Sequence, residues 1–237
     1  MSKNETKAPG RTVETLLECN ARLLRKVALL ESEAAQARYL AYHDSVTGLP
    51  NRVLLLDRLD QAMQQATRQH KAVGLLLLDL DRFKAVNDQF GHNGGDLLLQ
   101  QVAARLLHCI RGCDTACRYG GDEFVIMLPE ARGAEDVEAV KEKLRAHLSG
   151  PFRLGDHVVA MGVSIGVAVF TAGVMSCVEL IGAADSAMYR DKAERVAMQH
   201  RIAVPRVTGI GHRSSGILGI RRNSAAASLG ITKEFGS

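Results

Sequence analysis

The sequence has no tryptophan, and aromatic residues fill only 4% of its 237 positions. Any core must therefore be aliphatic, and the 46% of apolar residues are enough to build one. No apolar run approaches the roughly 20 residues that a membrane-spanning helix needs, so the chain reads as soluble. Cysteine is sparse and odd in number, at five, with no signal peptide ahead of it. Free thiols in a cytoplasmic protein are the expectation. Cys109, Cys113 and Cys117 are evenly spaced near His108, which raises the idea of a metal cluster. The run ends inside an apparent strand, however, which keeps the thiols apart, and no paired Cys-x-x-Cys framework accompanies it. Basic charge is also scarce where it would matter. The formal net charge is +4, and Arg201, Arg206, Arg213, Arg221, Arg222 and Lys233, against the single Glu234, account for all of it. The body of the chain is close to neutral and has no broad basic face for DNA or RNA.

What is present falls into four segments. Residues 1–12 are polar and read as disordered. Residues 13–42 place apolar or small side chains at Val13, Leu16, Leu23, Val27, Leu30, Ala34, Ala37 and Ala41. The gaps alternate three and four, with Asn20 in the one missing place. This is a heptad seam with a polar residue at an a position, the pattern of a parallel two-stranded coiled coil in register. The alternative is an amphipathic helix folded back on its own domain. Residues 43–200 form the main domain. Its opening stretch, HDSVTGLPNR (His43–Arg52), reads as a loop, followed by a helix from Val53 to about Arg68. Ala72–Phe83 carries the continuous apolar run of a buried central strand. Ala85–Asp96 is turn-rich and Leu97–Ile110 is helical. CRYGGDEFVIMLP (Cys117–Pro129) reads as a β-hairpin turning at Gly120 and Gly121. Ala134–Leu148 is a helix, Pro151–Phe170 gives two strands, and Cys177–Gln199 is a final helix. Interleaved helices and strands, with one hairpin, exclude an all-parallel sheet. They predict an α/β (α+β) fold with a mixed sheet and helices on its faces. Residues 201–237 are basic and rich in Gly and Ser, without periodicity, and read as a disordered tail.

The chemistry is carried by acids at strand ends. Asp79 and Asp81 close the first strand, and period-two geometry puts them on one face if the strand persists. Asp122 and Glu123 sit at the hairpin turn. If the two strands are neighbours, four carboxylates surround one point, a site for hard cations such as Mg²⁺ that bind carboxylates together with substrate phosphates. Two such ions would serve in-line displacement at phosphorus. Taken singly, either acidic pair is ordinary solvated surface. Between them lie Lys84, Asn87, His92 and Asp96, amid Gly91, Gly94 and Gly95. Backbone N–H groups after Asp81, with Lys84, suit a triphosphate. A carboxylate matches the paired donors on the edge of guanine, and an amide both donates and accepts, so Asp96 and Asn87 suit guanine. Asp96 fits equally well as the N-cap of a helix starting at Leu97.

Five stretches, RYGGDEF (Arg118–Phe124), DLDRFKAVND (Asp79–Asp88), GHNGGD (Gly91–Asp96), DSVTGLPNR (Asp44–Arg52) and SIGVA (Ser164–Ala168), appear together in order. In this the chain resembles the GGDEF-domain diguanylate cyclases, from roughly His43 to Gln199. The resemblance implies a palm-like sheet similar to nucleotide cyclases and polymerases. It also implies condensation of two GTP into cyclic di-GMP with release of two pyrophosphates, each domain of a homodimer holding one nucleotide. By position, Asp79, the carbonyl of Leu80 and Asp122 would hold Mg²⁺ or Mn²⁺, with Glu123 at a second ion. Asp122 would also accept the hydroxyl proton. Asn87 and Asp96 would bind guanine with His92 close by, while the amides of Arg82 and Phe83 and the side chains of Lys84 and Lys192 would meet phosphates. RGCD (Arg111–Asp114) resembles the family's inhibitory site for the product, although Arg-x-x-Asp by itself usually means a surface salt bridge. A parallel coiled coil at 13–42 would raise the effective concentration of the second domain and offer an upstream regulator a handle.

One departure stands out. The Gly-Arg-Asn that often follows Lys192 in the family is Arg195-Val196-Ala197 here, so the phosphate arginine is replaced by Val196 and the nearest arginine is about 100° away around a helix. Two readings follow: an active cyclase, and a catalytically weak domain that binds cyclic di-GMP through Arg111 and Asp114 as an effector. The retained Asp79, Asn87, Asp96, Asp122 and Glu123 point to the first.

Overall fold

A computed structural model describes residues 9–171 and 173–203. Residues 1–8 of the expected disordered N-terminus and 204–237 of the basic tail lie outside these residues, whereas residues 9–12 and 201–203 are helical instead, continuing α1 and α5. The chain opens with α1 (Pro9–Tyr42), followed by α2 (Arg52–Gln69), β1 (Ala72–Leu80), α3 (Phe83–Cys109), β2 (Thr115–Arg118) and β3 (Glu123–Ala131). Then come α4 (Ala134–Leu148), β4 (Phe152–Leu154), β5 (His157–Val159), β6 (Val163–Phe170) and α5 (Cys177–Ala203). Four strands form one sheet in the order β2-β3-β1-β6, and β4 and β5 form a separate hairpin. Every strand pairing is antiparallel. A parallel bridge between Asn51 and Arg118 extends the β2 edge.

β1 has no polar side chain from Ala72 to Leu78 because both of its faces are covered there. Leu76, Leu78 and Leu80 join a core with Leu98, Leu99, Val102 and Leu106 of α3 and Leu144 and Leu148 of α4. Val73, Leu75 and Leu77 face Leu55, Leu59 and Met63 of α2 and Leu180, Ala184 and Met188 of α5. The strand's period of two thus divides one hydrophobic run between two cores. α5 lies almost on the backbone of β6: a Cβ at Gly166 would collide with the Ala184 carbonyl and the Met188 amide. At the same place Asp191 accepts the Ile165 N–H at 3.0 Å and pairs with Arg145 at 2.7 Å, so a carboxylate satisfies an amide of β6.

Two expectations are corrected. The turn-rich segment 85–96 is helical, and α3 starts at Phe83 and continues past a kink at Gly91 (φ 71°). Asp96 therefore lies inside the helical run and does not cap it. The glycines that suggest a loop serve close packing instead: a Cβ at Gly94 would collide with Phe90, and one at Gly95 with Asn87. The segment 151–170 holds three strands rather than two, because Gly155 (φ 61°) turns a short hairpin before β6.

α1 stands apart from the core. Leu16, Leu23, Val27 and Leu30 of its heptad seam are all exposed, so the helix does not fold back to bury them. Its end is nevertheless tied down. The Asn51 side chain donates to the Ala41 carbonyl at 2.9 Å, its backbone N–H donates to Tyr42 at 2.9 Å, and its Oδ1 caps α2 at Val53 and Leu54. Tyr39 stacks on His43 with ring centroids 4.1 Å apart. Among the described residues, no helix is long and apolar enough to cross a membrane.

Candidate active site

Antiparallel register brings the acids together. Asp79, one residue from the end of β1, lies directly opposite Glu123 at the start of β3. The Leu80 N–H donates to the Asp122 carbonyl at 3.3 Å. The hairpin that presents Asp122 is closed by Tyr119 N–H bonding the Glu123 carbonyl at 2.9 Å. Arg118 braces it from outside: Nε and Nη2 reach the Gly121 carbonyl at 3.1 and 2.7 Å, and Nη1 meets both oxygens of Asp44 at 3.1 Å. Asp44 is held in turn by the Thr47 amide (2.8 Å) and hydroxyl (2.7 Å). The DSVTGLPNR stretch is thus more than a connecting loop. It supports the GGDEF turn, a role for Asp44, Asn51 and Arg118 that the sequence reading missed.

The fourth acid goes elsewhere. Asp81 accepts from Ser164 Oγ at 2.7 Å and sits 3.4 Å from Arg195 Nε. Asp79, Asp122 and Glu123 remain as the cluster. Burial, reinforced by repulsion from Asp79, pushes the Asp122 carboxyl above its ordinary range, and Lys192 and Arg118 do not fully offset this. Glu123 is raised by burial and then by Asp79, Asp122 and Asp185. Lys192 Nζ donates to Asp79 Oδ1 at 2.6 Å, and that bond holds the ammonium above its usual value. Among the described residues, no three His, Cys, Asp or Glu side chains converge tightly enough to make a preformed metal centre. The donor set still fits a hard cation. It is all oxygen, it carries uncompensated negative charge, and the coordination it leaves open is what substrate phosphates would fill.

The nucleotide-facing residues gather around the Gly91 kink. Asn87 Oδ1 and the Phe83 ring both lie against Gly95, next to Asp96 in the chain. His92 follows the kink and is exposed, as is Lys84 in the first turn of α3. Arg82 precedes the helix in a left-handed conformation (φ 64°) and does not cap it with its side chain. On the other side of this turn, a cavity of about 380 Å³ is lined by Arg82, Phe90, Met161, Lys192, Arg195 and Val196, among others. Arg195 therefore shares a cavity with Lys192, while Val196 is 48% exposed.

Arg111 and Asp114 are on the surface between α3 and β2. They do not pair through their side chains. Asp114 Oδ2 accepts the Arg111 backbone N–H at 2.8 Å, which leaves the guanidinium 3.9 Å from Asp136 and 62% exposed. Cys109 and Cys117 are buried and Cys113 is exposed; burial pushes the Cys117 thiol up to about 12.

A helix-covered antiparallel sheet with acids converging from two strand ends, beside a glycine-tightened helical turn, defines a domain suited to handling nucleoside phosphates. Residues 41–197 match the family "Diguanylate cyclase, GGDEF domain", and the chain belongs to that family. It is 44% identical over 177 residues to the bifunctional diguanylate cyclase/cyclic di-GMP phosphodiesterase MucR of Pseudomonas aeruginosa, an alignment covering 73% of this chain and 26% of MucR. It is 41% identical over 158 residues to the response regulator PleD of Caulobacter vibrioides, covering 65% of this chain and 34% of PleD. The chain thus spans only a quarter to a third of these relatives. Among solved structures, the coiled coil and GGDEF domain of DgcB from Caulobacter crescentus, in complex with c-di-GMP, superposes with a TM-score of 0.70. That pair is 29% identical, and the match covers 76% of this chain and 95% of that one. α1, which precedes most of the matched residues here, is consistent with a coiled coil such as the one named in that structure.

Proposed function

We propose that this chain is a diguanylate cyclase acting as a homodimer in the cytoplasm, joining two GTP into cyclic di-GMP and releasing two pyrophosphates. The observation that carries this is the β1–β3 register, which sets Asp79 opposite Glu123 with Asp122 at the adjoining turn. Asn87 and Asp96 read the guanine edge, with His92 alongside. The amides of Arg82 and Phe83 and the side chains of Lys84 and Lys192 hold the phosphates. Asp79, the Leu80 carbonyl, Asp122 and Glu123 would hold divalent ions (Mg²⁺ or Mn²⁺, two per site), which would supply charge neutralisation of the transferring phosphate.

The 3′-oxygen of one nucleotide forms a bond to the α-phosphorus of the other, and the α–β bridging P–O bond breaks as pyrophosphate leaves. Asp122 takes the hydroxyl proton, and burial with repulsion from Asp79 raises its proton affinity, the direction a proton acceptor needs. One domain presents one nucleotide, so two must face each other, and α1 brings them together. Arg111 and Asp114 form a product-binding site through which cyclic di-GMP restrains the enzyme; the exposed guanidinium supports this. The test is incubation of purified protein with GTP and Mg²⁺ and separation of the products. Cyclic di-GMP with pyrophosphate is expected, and unchanged GTP at every protein concentration would overturn the reading.

A further inference from the structure

Lys192 occupies an unexpected position for a residue whose task is to hold phosphate. Its ammonium rests on Asp79 Oδ1 at 2.6 Å, and Asp79 is only 14% exposed. Asp79 is the acid with which both Asp122 and Glu123 share their repulsion. Arg195, one turn further along α5, is committed to Asp81 instead. The two cations on this face of α5 therefore serve different acids. The ammonium takes a lone pair of Oδ1 and sets a positive charge beside any metal ion that would use either oxygen of Asp79.

We infer that Lys192 is a built-in counter-ion that competes with the divalent ion for Asp79, so that metal and triphosphate load together. The inference rests on the functional reading above. With Lys192 on Asp79, the apparent metal affinity is reduced by the fraction of protein in which that contact is formed. A triphosphate draws the ammonium onto its own oxygens and removes the reduction. Metal and nucleotide then bind with positive cooperativity, and each raises the affinity for the other by the same factor. Lys192 thereby acts as a positioning residue before it acts as a phosphate ligand. Nucleotide-free protein keeps Asp79, one of the three acids, paired internally instead of offering it to metal from solution.

The experiment is an electron paramagnetic resonance titration of the full chain with Mn²⁺, which reads bound metal directly and needs no turnover. It is run with and without 3′-deoxy-GTP, which binds but lacks the attacking hydroxyl. Without nucleotide, Lys192→Met is expected to bind Mn²⁺ about two- to fivefold more tightly than wild type, the scale of one partly exposed ion pair. The enhancement of Mn²⁺ binding by 3′-deoxy-GTP should shrink in that variant. Arg195→Met should match wild type without nucleotide, because its partner is Asp81. Lys192→Gln repeats the test should the methionine variant fold poorly.

Unchanged or weaker Mn²⁺ binding in both Lys192 variants overturns the inference. So does an Arg195→Met effect equal to that of Lys192→Met, which would mark a general field rather than a specific contact. If wild type binds no Mn²⁺ even with 3′-deoxy-GTP, the cyclase reading falls along with it. If wild type binds normally and only the variants fail to differ, this inference alone falls.

Discussion

At the scale of single residues, the site combines acids with opposite histories. Asp122 has its folded-state proton affinity raised by burial and by Asp79. The native state therefore binds that proton more tightly than the unfolded chain. Its ionisation costs stability as pH rises from the ordinary 3.8 through the raised value, and the cost is fully present above that value. Asp122→Asn is expected to lower cyclase turnover by about 10²–10⁴-fold. It should also raise the melting temperature at pH 7 by a few degrees, a gain that fades below pH 3.8. Calorimetry across pH, paired with a product assay, checks both halves. Asp44 is the reverse case. Burial alone would raise it, but donors from Thr47 and Arg118 outweigh that and hold it below 3.8. Its contribution is present above 3.8 and is lost as pH falls through the depressed value. Asp44→Asn should therefore cost about 1.5–3 kcal/mol at neutral pH, the scale of charge-assisted hydrogen bonds. Denaturant titrations should show the gap from wild type narrowing in acid.

At the scale of elements, two glycines of similar appearance have different duties. Gly166 meets the backbone of α5, which cannot step aside. Gly166→Ala should lower stability by about 1–3 kcal/mol or more, visible as a lower denaturant midpoint. Gly95 meets the Asn87 amide, a side chain that can rotate. Gly95→Ala should leave the midpoint nearly unchanged but raise the KM for GTP roughly tenfold, the equivalent of one lost hydrogen bond.

The same contrast explains what could be read in advance. The apolar run of β1, the limits of α4 and the GGDEF turn were legible because periodicity and turn chemistry are local signals. The first half of α3 was hidden because Gly91, Gly94 and Gly95 read as a loop by composition, and the packing role of Gly94 and Gly95 depends on contact with Phe90 and Asn87. The convergence of Asp79 with Asp122 and Glu123 followed once β1 and β3 were taken as neighbours, whereas Asp81 was miscast because β1 ends at Leu80 and Ser164 and Arg195 claim its side chain. The Asp44–Arg118 clamp joins residues 74 positions apart and leaves no trace in local pattern.

At the scale of the whole molecule, the heptad seam of α1 is exposed, and the proposed site for one nucleotide per domain calls for a second copy. Deleting residues 1–42 should make specific activity fall steeply with dilution, measured as product per mole of protein across a concentration series. Unchanged specific activity would count against dimerisation through α1. Arg111→Ala should keep stability within about 0.5 kcal/mol of wild type, since the side chain is exposed. Its inhibition constant for cyclic di-GMP should rise by at least about tenfold.

The knot at Asn51 sets how α1 can communicate. The side chain and backbone of Asn51 fasten the last carbonyls of α1 and the first turn of α2, and the neighbouring Pro50 carbonyl accepts from the Arg118 amide of the strand that leads into the GGDEF turn. With no slack there, the azimuth of α1 becomes the azimuth of the catalytic face. Adding one residue within α1 would swing that face by about 100°, whereas adding a whole heptad would return it to its original bearing, so output should follow the phase of the insertion rather than its length.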